Sequence, residues 1–156
     1  MKRLFLNKGI SVIEVLIAIV ILGLIFYITL PEFYKMKENQ VLKNTVEDVV
    51  SALHTAKSET LASIDSREYG VYFDSNQIII FKGDIYVIGD LNNNIIEIIN
   101  PASITNVTLG GVSLSSGELF FDRLSGEPNV TGTITISTEN QSKIITISPS
   151  GSVSVN

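Results

Sequence analysis

The feature that most constrains this chain is an apolar run near its N-terminus, from Ile10 to Leu30, within the stretch NKGISVIEVLIAIVILGLIFYITLPEFY. Only four residues of the run are polar: Ser11, Glu14, Tyr27 and Thr29. As a helix, a run of this length spans about 31 Å, which is close to the hydrocarbon thickness of a bilayer. We therefore expect this part of the chain to fold as one membrane-spanning helix.

Basic residues set the expected direction of insertion. Lys2, Arg3 and Lys8 precede the run, so the positive-inside rule predicts a cytoplasmic N-terminus and an extracytoplasmic remainder. An ordinary secretory signal peptide has a shorter apolar stretch followed by small residues at its cleavage site. This run ends instead in ITLPEFYK, without such a site. A plain signal anchor remains an open alternative.

Glu14 is the one ionisable residue inside the run. A carboxylate costs about 2.5 to 3.5 kcal/mol at the centre of a membrane helix and less near an interface, so such residues usually have a partner. One interpretation is that Glu14 reaches headgroups and water. Another follows from Gly9, because a cut after it would expose a new amine at Ile10. Amine and carboxylate of neighbouring, staggered helices would then neutralise each other.

These residues resemble the class III signal of type IV pilins and type II secretion pseudopilins. The matching stretch reads KG-ISVIEVLIAIVILGLI, with a basic leader, Gly9 and Glu14. The resemblance implies that a prepilin peptidase cuts after Gly9 and that Ile10 becomes N-methylated. Phenylalanine or methionine is more usual at that position than Ile10. Pro31 matches a family proline, and its missing N–H predicts a kink or local melting of the helix.

An apolar stripe continues the helix pattern beyond the run. From residue 42 its spacing alternates between four and three, which is one face of an amphipathic helix. The stripe consists of Leu42, Val46, Val49, Leu53 and Ala56. We predict one helix from about Ile10 to about Ile64, whose second half packs on a sheet, with His54 as an exposed helix residue.

From Tyr69 the chain is rich in short apolar runs bounded by turn residues. Runs at 70–74, 77–82, 84–90, 95–100, 104–111, 117–123, 132–138, 143–150 and 151–156 predict about seven or eight antiparallel strands. Because they follow one helix rather than alternating with helices, we predict an α+β fold. The expected organisation is a leader at 1–9, a transmembrane or filament-core helix at 10–30, an amphipathic helix at 31–64 and a β-rich head at 65–156.

The last part of the chain carries a second resemblance. FFDRLSGEPNVTGTITIS followed by KIITISPSGSVSV is similar to the closing strands of GspH/FimT-type minor pseudopilins and minor pilins. Many major pilins close a C-terminal loop with a disulfide, which this cysteine-free chain is unable to form. The resemblance implies a minor pseudopilin or minor pilin, and a major pilin or another pseudopilin remains an open alternative.

Composition excludes several kinds of site. With no cysteine and one histidine, thiol chemistry and Cys- or His-rich metal sites are excluded. Asp122 and Arg123 beside Glu127 lack a nucleophile–base set, so we interpret them as a solvated loop and expect neither an enzyme nor a cofactor. Removing residues 1–9 leaves eight Lys or Arg against sixteen Asp or Glu, which argues against nucleic-acid binding.

The sequence thus predicts a structural subunit of a type IV pilus or type II secretion pseudopilus, single-pass in the cytoplasmic (inner) membrane, with its head in the periplasm or at the cell surface. The expected partners are other pilin or pseudopilin subunits, prepilin peptidase, the inner-membrane assembly platform and membrane lipid. One alternative is a non-polymerising bitopic protein with an extracytoplasmic binding head. Another is a DNA-binding competence minor pilin, although no basic residue follows Lys143.

Overall fold

The computed structural model describes residues 10–156. The predicted leader, with Lys2, Arg3, Lys8 and Gly9, lies outside the described residues. Within residues 10–156 the chain forms, in order, one α-helix, one 3₁₀ turn and nine β-strands. They belong to two compact units, Met1–Lys37 and Glu38–Asn156.

Helix α1 runs from Val12 to Leu61. From Val15 to Leu30 its side chains are apolar except at Tyr27 and Thr29, and no part of this segment is buried, a pattern typical of a helix whose surroundings are themselves apolar. The helix is long and apolar enough to span a membrane. Pro31 lies inside it, and the residues on both sides of Pro31 are helical.

In the second unit α1 becomes amphipathic, as predicted. All five residues of the predicted stripe are buried, and His54 on the opposite face is exposed. The helix ends three residues before the predicted Ile64 because Ser63 takes a left-handed conformation with φ of 51°, which stops the helical hydrogen-bond pattern. A 3₁₀ turn at Ile64–Ser66 then leads into the first strand.

The strands form two antiparallel sheets. Their bounds are β1 Tyr69–Asp74, β2 Gln77–Lys82, β3 Asn94–Glu97, β4 Ser103–Leu109, β5 Val112–Leu114, β6 Gly117–Phe121, β7 Gly132–Ser137, β8 Ser142–Ile147 and β9 Val153–Val155. The four-stranded sheet has the order β3-β2-β1-β6, and the five-stranded sheet has the order β5-β4-β7-β8-β9. One helix followed by antiparallel sheets confirms the predicted α+β class.

One hydrophobic core joins the two sheets to the second half of α1. In the five-stranded sheet, residues of β7 and β8 alternate between buried side chains on the core face and more exposed ones on the outer face. In the four-stranded sheet β2 is buried on both faces, with Ile79 and Phe81 on the outer one. The largest fully buried side chains on the core faces are Leu53, Phe73, Ile78, Leu119, Phe121, Ile134, Ile136, Ile145 and Ile147. This core fixes the positions of the surface features of the second unit.

The predicted strand at 84–90 is wrong. Residues 83–93 form a loop between β2 and β3, with positive φ at Gly83 and Gly89. Tyr86 of this loop stacks on Tyr72 with 4.3 Å between ring centroids, and its N–H donates to Glu118 Oε2 at 3.0 Å. The apolar residues at 84–90 therefore belong to a loop that folds back on the sheet and do not form a strand.

Strand β5 was not among the predicted strands. It has three residues, Val112 to Leu114, and pairs with β4 alone. Three residues are too few for a period-2 pattern to stand out in a sequence, because one apolar–polar–apolar triplet occurs in many loops.

Candidate functional site

The first candidate site is the surface of α1 around Glu14. The backbone N–H groups of Glu14 and Val15 donate to the Ser11 carbonyl at 3.0 and 3.2 Å, so the first turn of the helix forms here. Glu14 is therefore an acidic residue in the first turn, where its charge lies next to the positive end of the helix dipole. The sequence predicted a carboxylate in an apolar helix, and the structure adds that it lies at the N-terminal end of that helix.

Glu14 has no cationic partner among residues 10–156. The two ion pairs of the described residues are Lys35–Glu32, at 3.1 Å, and Lys82–Asp65. From Glu14 to Leu30 every other residue is uncharged, and the large aliphatic side chains of this stretch are exposed. The site is thus a single free carboxylate on an otherwise apolar rod. Ile10 lies just before the helix and is exposed as well.

In the second unit, Glu38 links α1 to the turn between β7 and β8. Asn140 donates to its carboxylate twice, from its backbone N–H at 2.9 Å and from Nδ2 at 3.0 Å. The Thr138 hydroxyl first, and then these two Asn140 donors, hold the pKa of Glu38 below its ordinary value of 4.5. The Thr138 hydroxyl also reaches the Gln141 carbonyl at 3.3 Å, so we assign the contact mainly to Asn140.

Lys57 makes a second link from α1, to the turn between β8 and β9. Its Nζ donates to the carbonyls of Ser150 at 2.8 Å and Gly151 at 3.2 Å. Gly151 has a φ of +69°, and a Cβ there would lie 2.6 Å from the Gly126 carbonyl. Together the Glu38 and Lys57 contacts hold the turns at the two ends of β8 against the helix.

Beside this region lies a cleft of about 380 Å³ between α1 and the end of β9. Leu42 and Val46 of the helix and Val155 of the strand supply its apolar walls, and Lys43 and Glu47 are at its rim. The sequence did not reveal this cleft, because it depends on how far β9 extends over the helix. The only signal was the alternating GSVSVN at the C-terminus.

The three residues weighed for catalysis, Asp122, Arg123 and Glu127, differ in burial. Asp122 and Glu127 are exposed in the β6–β7 connection, where the Asp122 N–H donates to the Glu127 carbonyl at 2.9 Å. Arg123 between them is half-buried, and its Nε has no hydrogen-bond partner among residues 10–156. The part of the chain that the structure describes holds no group of three His, Cys, Asp or Glu residues placed to bind a metal ion.

Two surface features of residues 10–156 are thus candidates, the apolar helix around Glu14 and the cleft at β9. The sequence predicted the Glu14 surface by residue number, while the cleft at β9 and the Glu38 and Lys57 links came only from the structure. Comparison with known proteins adds no relative: no family model, curated protein or solved structure matches this chain.

Proposed function

We propose that this protein is a structural subunit of a type IV pilus or type II secretion pseudopilus, a minor pilin or pseudopilin that assembles through its N-terminal helix. The observation that carries the proposal is the free carboxylate of Glu14 on an apolar helix that has the length and composition of a membrane span. Such a group needs a counter-charge, and none of the described residues supplies it.

The proposed counter-charge is the N-terminal amine of Ile10 in a neighbouring copy. Prepilin peptidase would release that amine by cutting after Gly9, and methylation would leave it cationic. Ile10 and Glu14 are four residues apart, which is about 6 Å along a helix. The amine of one copy therefore meets Glu14 of the next only if the copies are staggered along the helix axis.

This pairing determines register more than stability. Two charges taken out of water lose hydration, and their attraction largely offsets that loss. Their specific value is that one stagger satisfies both charges and every other stagger leaves a carboxylate in apolar surroundings. The apolar side chains from Val15 to Leu30 then pack between copies, and the assembly platform of the inner membrane extracts each subunit from the lipid.

The proposal is tested by replacing Glu14 with Leu. We expect Glu14→Leu to insert in the cytoplasmic membrane as the native chain does and to be lost from sheared filaments, by about tenfold or more, since one buried unpaired amine costs several kcal/mol. The matched control is Glu32→Gln, which removes the acidic partner of Lys35 outside the apolar run. Equal recovery of Glu14→Leu and native protein in filaments would contradict the pairing.

Intact mass separates this proposal from the bitopic alternative. A processed subunit begins at Ile10 and carries one additional methyl group. A non-polymerising bitopic protein keeps residues 1–9. The competence-pilin alternative predicts DNA binding, which an electrophoretic shift at stated salt measures. Because residues 38–156 carry six Lys or Arg and fourteen Asp or Glu, we expect no shift at physiological ionic strength.

A further inference from the structure

The two sheets differ in the chemistry of their edge strands. In the four-stranded sheet, each edge carries a carboxylate, Glu97 on β3 and Glu118 on β6. In the five-stranded sheet, β5 reads VSL and β9 reads VSV, with no charge and no proline. Proteins usually protect edges with charge, proline or bulges, because a free edge pairs with other chains. The five-stranded sheet has none of these within its edge strands.

Strand β5 presents apolar side chains that nothing covers. Val112 and Leu114 pair with Leu109 and Val107 of β4, and Val107 is buried, so both lie on the core side of the sheet. Each is nevertheless 58% exposed. Ser113 between them is on the outer face, where its hydroxyl donates to Asn106 Oδ1 at 2.6 Å. The edge thus has one apolar side and one polar side.

Strand β9 has the same pattern at the opposite edge. Val153 and Val155 pair with the buried Ile147 and Ile145, which places both on the core side, yet Val155 is 44% exposed. Next to Val155 is the 380 Å³ cleft, whose walls include Leu42 and Val46 of α1. The cleft is the space that a further strand of this sheet would cover.

Within residues 10–156, no backbone hydrogen bond reaches the free side of β5 or of β9. Strand β5 is bonded only through β4, and β9 only through β8, including the pair Ile144–Asn156. Both edges therefore keep unpaired N–H and C=O groups directed outward. An additional strand at either edge would satisfy them.

We propose that β5 of one copy adds to β9 of a second copy, so that the five-stranded sheet continues from head to head. The incoming Val112 and Leu114 would then lie on the core side, over the cleft beside Leu42 and Val46. The two edges match in length, in apolar–Ser–apolar pattern and in lack of charge. Pairing β5 with β5, or β9 with β9, would bury one of these apolar surfaces and leave the other exposed.

A β5–β9 contact joins two different surfaces, so a pair of copies keeps one free β5 edge and one free β9 edge, and the sheet extends with each added copy unless the rotation between copies closes a ring. The inference rests on the proposed function in one respect. Edges of three residues form few hydrogen bonds, so their pairing needs the high effective concentration of copies held together by their membrane helices. Isolated heads are then expected to stay apart, and assembled heads to pair.

The test is disulfide cross-linking of the full chain in the membranes or filaments of cells that assemble it. Ser113 and Ser154 are the central residues of β5 and β9, both are exposed, and both face away from the core. The order β5-β4-β7-β8-β9 of antiparallel strands makes β5 and β9 run in the same direction, so copies whose membrane helices are parallel pair these two edges as parallel strands. Neighbouring strands lie about 4.7 to 4.9 Å apart, so facing Cα atoms are within the range of a disulfide. The native chain has no cysteine, so every bond formed comes from the introduced pair.

A chain carrying both Ser113→Cys and Ser154→Cys should give a ladder of dimers, trimers and higher multimers on mild oxidation. Each single variant should stay monomeric. The matched control combines Ser113→Cys with Ser51→Cys, an exposed serine on α1, and should give no ladder. Dimers from either single variant would show edge pairing of like with like, and a double variant without a ladder would show no edge contact. Either result overturns the inference.

A charge placed at the edge gives a second, independent readout. Leu114→Lys puts an ammonium group on the core side, over the cleft beside Leu42 and Val46, whereas Ser113→Lys puts the same charge on the outer face, where water remains after pairing. Both positions are exposed, so both heads should fold. Both variants are scored with Val112→Cys and Val153→Cys as the reporting pair, because both of these residues are on the core side. We expect Leu114→Lys to lower the cross-linked fraction by about tenfold and Ser113→Lys by less than about twofold. Equal effects would contradict the proposed burial of Leu114.

Failure of this inference is distinguishable from failure of the proposed function. Sheared filaments that contain the protein but give no ladder leave the membrane-helix assembly intact and remove only the edge pairing. If the protein is absent from every filament and retains residues 1–9, both the proposed function and the edge pairing are contradicted.

Discussion

Two buried threonines of α1 allow a sharp test of how the head is held to the helix. Thr60 and Thr45 are the buried polar side chains of residues 10–156, at 0% and 3% exposure. The Thr60 hydroxyl oxygen accepts the N–H of Tyr69, the first residue of β1, at 2.9 Å. Thr45 instead donates to the carbonyl of Val41, one turn earlier in its own helix, at 3.0 Å. Replacing each with valine keeps the shape and removes the hydroxyl.

The two substitutions should differ in free energy of unfolding. Thr60→Val leaves the N–H of Tyr69 without an acceptor in a buried position, which costs about 2 kcal/mol. Thr45→Val orphans nothing, because the Val41 carbonyl still accepts the helical N–H of residue 45. Its effect should be within about 0.5 kcal/mol of zero. The predicted contrast therefore tests one tertiary hydrogen bond against one local one.

The assay is urea and thermal unfolding of the full chain in detergent micelles, followed by the near-ultraviolet circular dichroism of its tyrosines. For a head of this size, a loss of about 2 kcal/mol lowers Tm by about 8 °C. The Tyr69 amide should also lose protection from hydrogen exchange in Thr60→Val alone. Equal midpoints for the two variants would refute the assignment of Thr60 as the buried link to β1.

Two further predictions concern the head. At Gly132 on β7 an added Cβ would lie 1.8 Å from the Thr108 carbonyl oxygen, so Gly132→Ala should cost about 3 kcal/mol or more in urea unfolding. Gly117→Ala meets only side chains, at 3.0 Å, and should cost less than about 1.5 kcal/mol. Because the pKa of Glu38 is lower in the folded chain, its contact with Asn140 should be complete above pH 4.5 and lost as pH falls through the folded pKa. The amide shift of Asn140 should report a midpoint below 4.5, and a midpoint at or above that value would contradict the contact.

The sequence correctly predicted elements whose pattern of apolar residues matches the burial of those residues in the fold. The stripe from Leu42 to Ala56 repeats every three or four residues, and each of its members is buried in the structure. The strand QIIIFK was predicted residue for residue, because a short β-branched run between turn residues has few alternatives. The helix is buried on one face, and the strand is buried on both.

The run DIYVIGD shows where local pattern fails. Its composition is similar to that of the neighbouring runs that form strands. It forms a loop nevertheless, because Gly83 and Gly89 adopt positive φ and turn the backbone, and because Tyr86 stacks on another aromatic ring. That partner, Tyr72, is fourteen residues earlier in the sequence, and no window of strand length contains both. Tertiary packing therefore overrides β-propensity at this position.

One part of the candidate site could be predicted from the sequence and the other could not. Glu14 could be identified from the sequence, because a charge inside an apolar run is anomalous in any fold. The cleft at β9 could not, because its walls come from residues more than a hundred positions apart, Leu42 and Val155. Only the sheet order, with β5 and β9 at opposite edges, reveals that the two unprotected edges are complementary.

The net charge of the head connects the two proposed contacts, the helix register set by Glu14 and the pairing of the β5 and β9 edges. Heads with fourteen acidic and six basic residues repel one another at separations up to about the Debye length, near 8 Å at physiological salt. A contact between heads is then favourable only where both surfaces are uncharged and apolar area is left to bury, and the β5 and β9 edges meet both conditions. In the proposed assembly, this repulsion would keep heads that are not anchored together from pairing through such short edges. Membrane helices held in register by Glu14 would overcome it, so that edge pairing would follow assembly instead of preceding it.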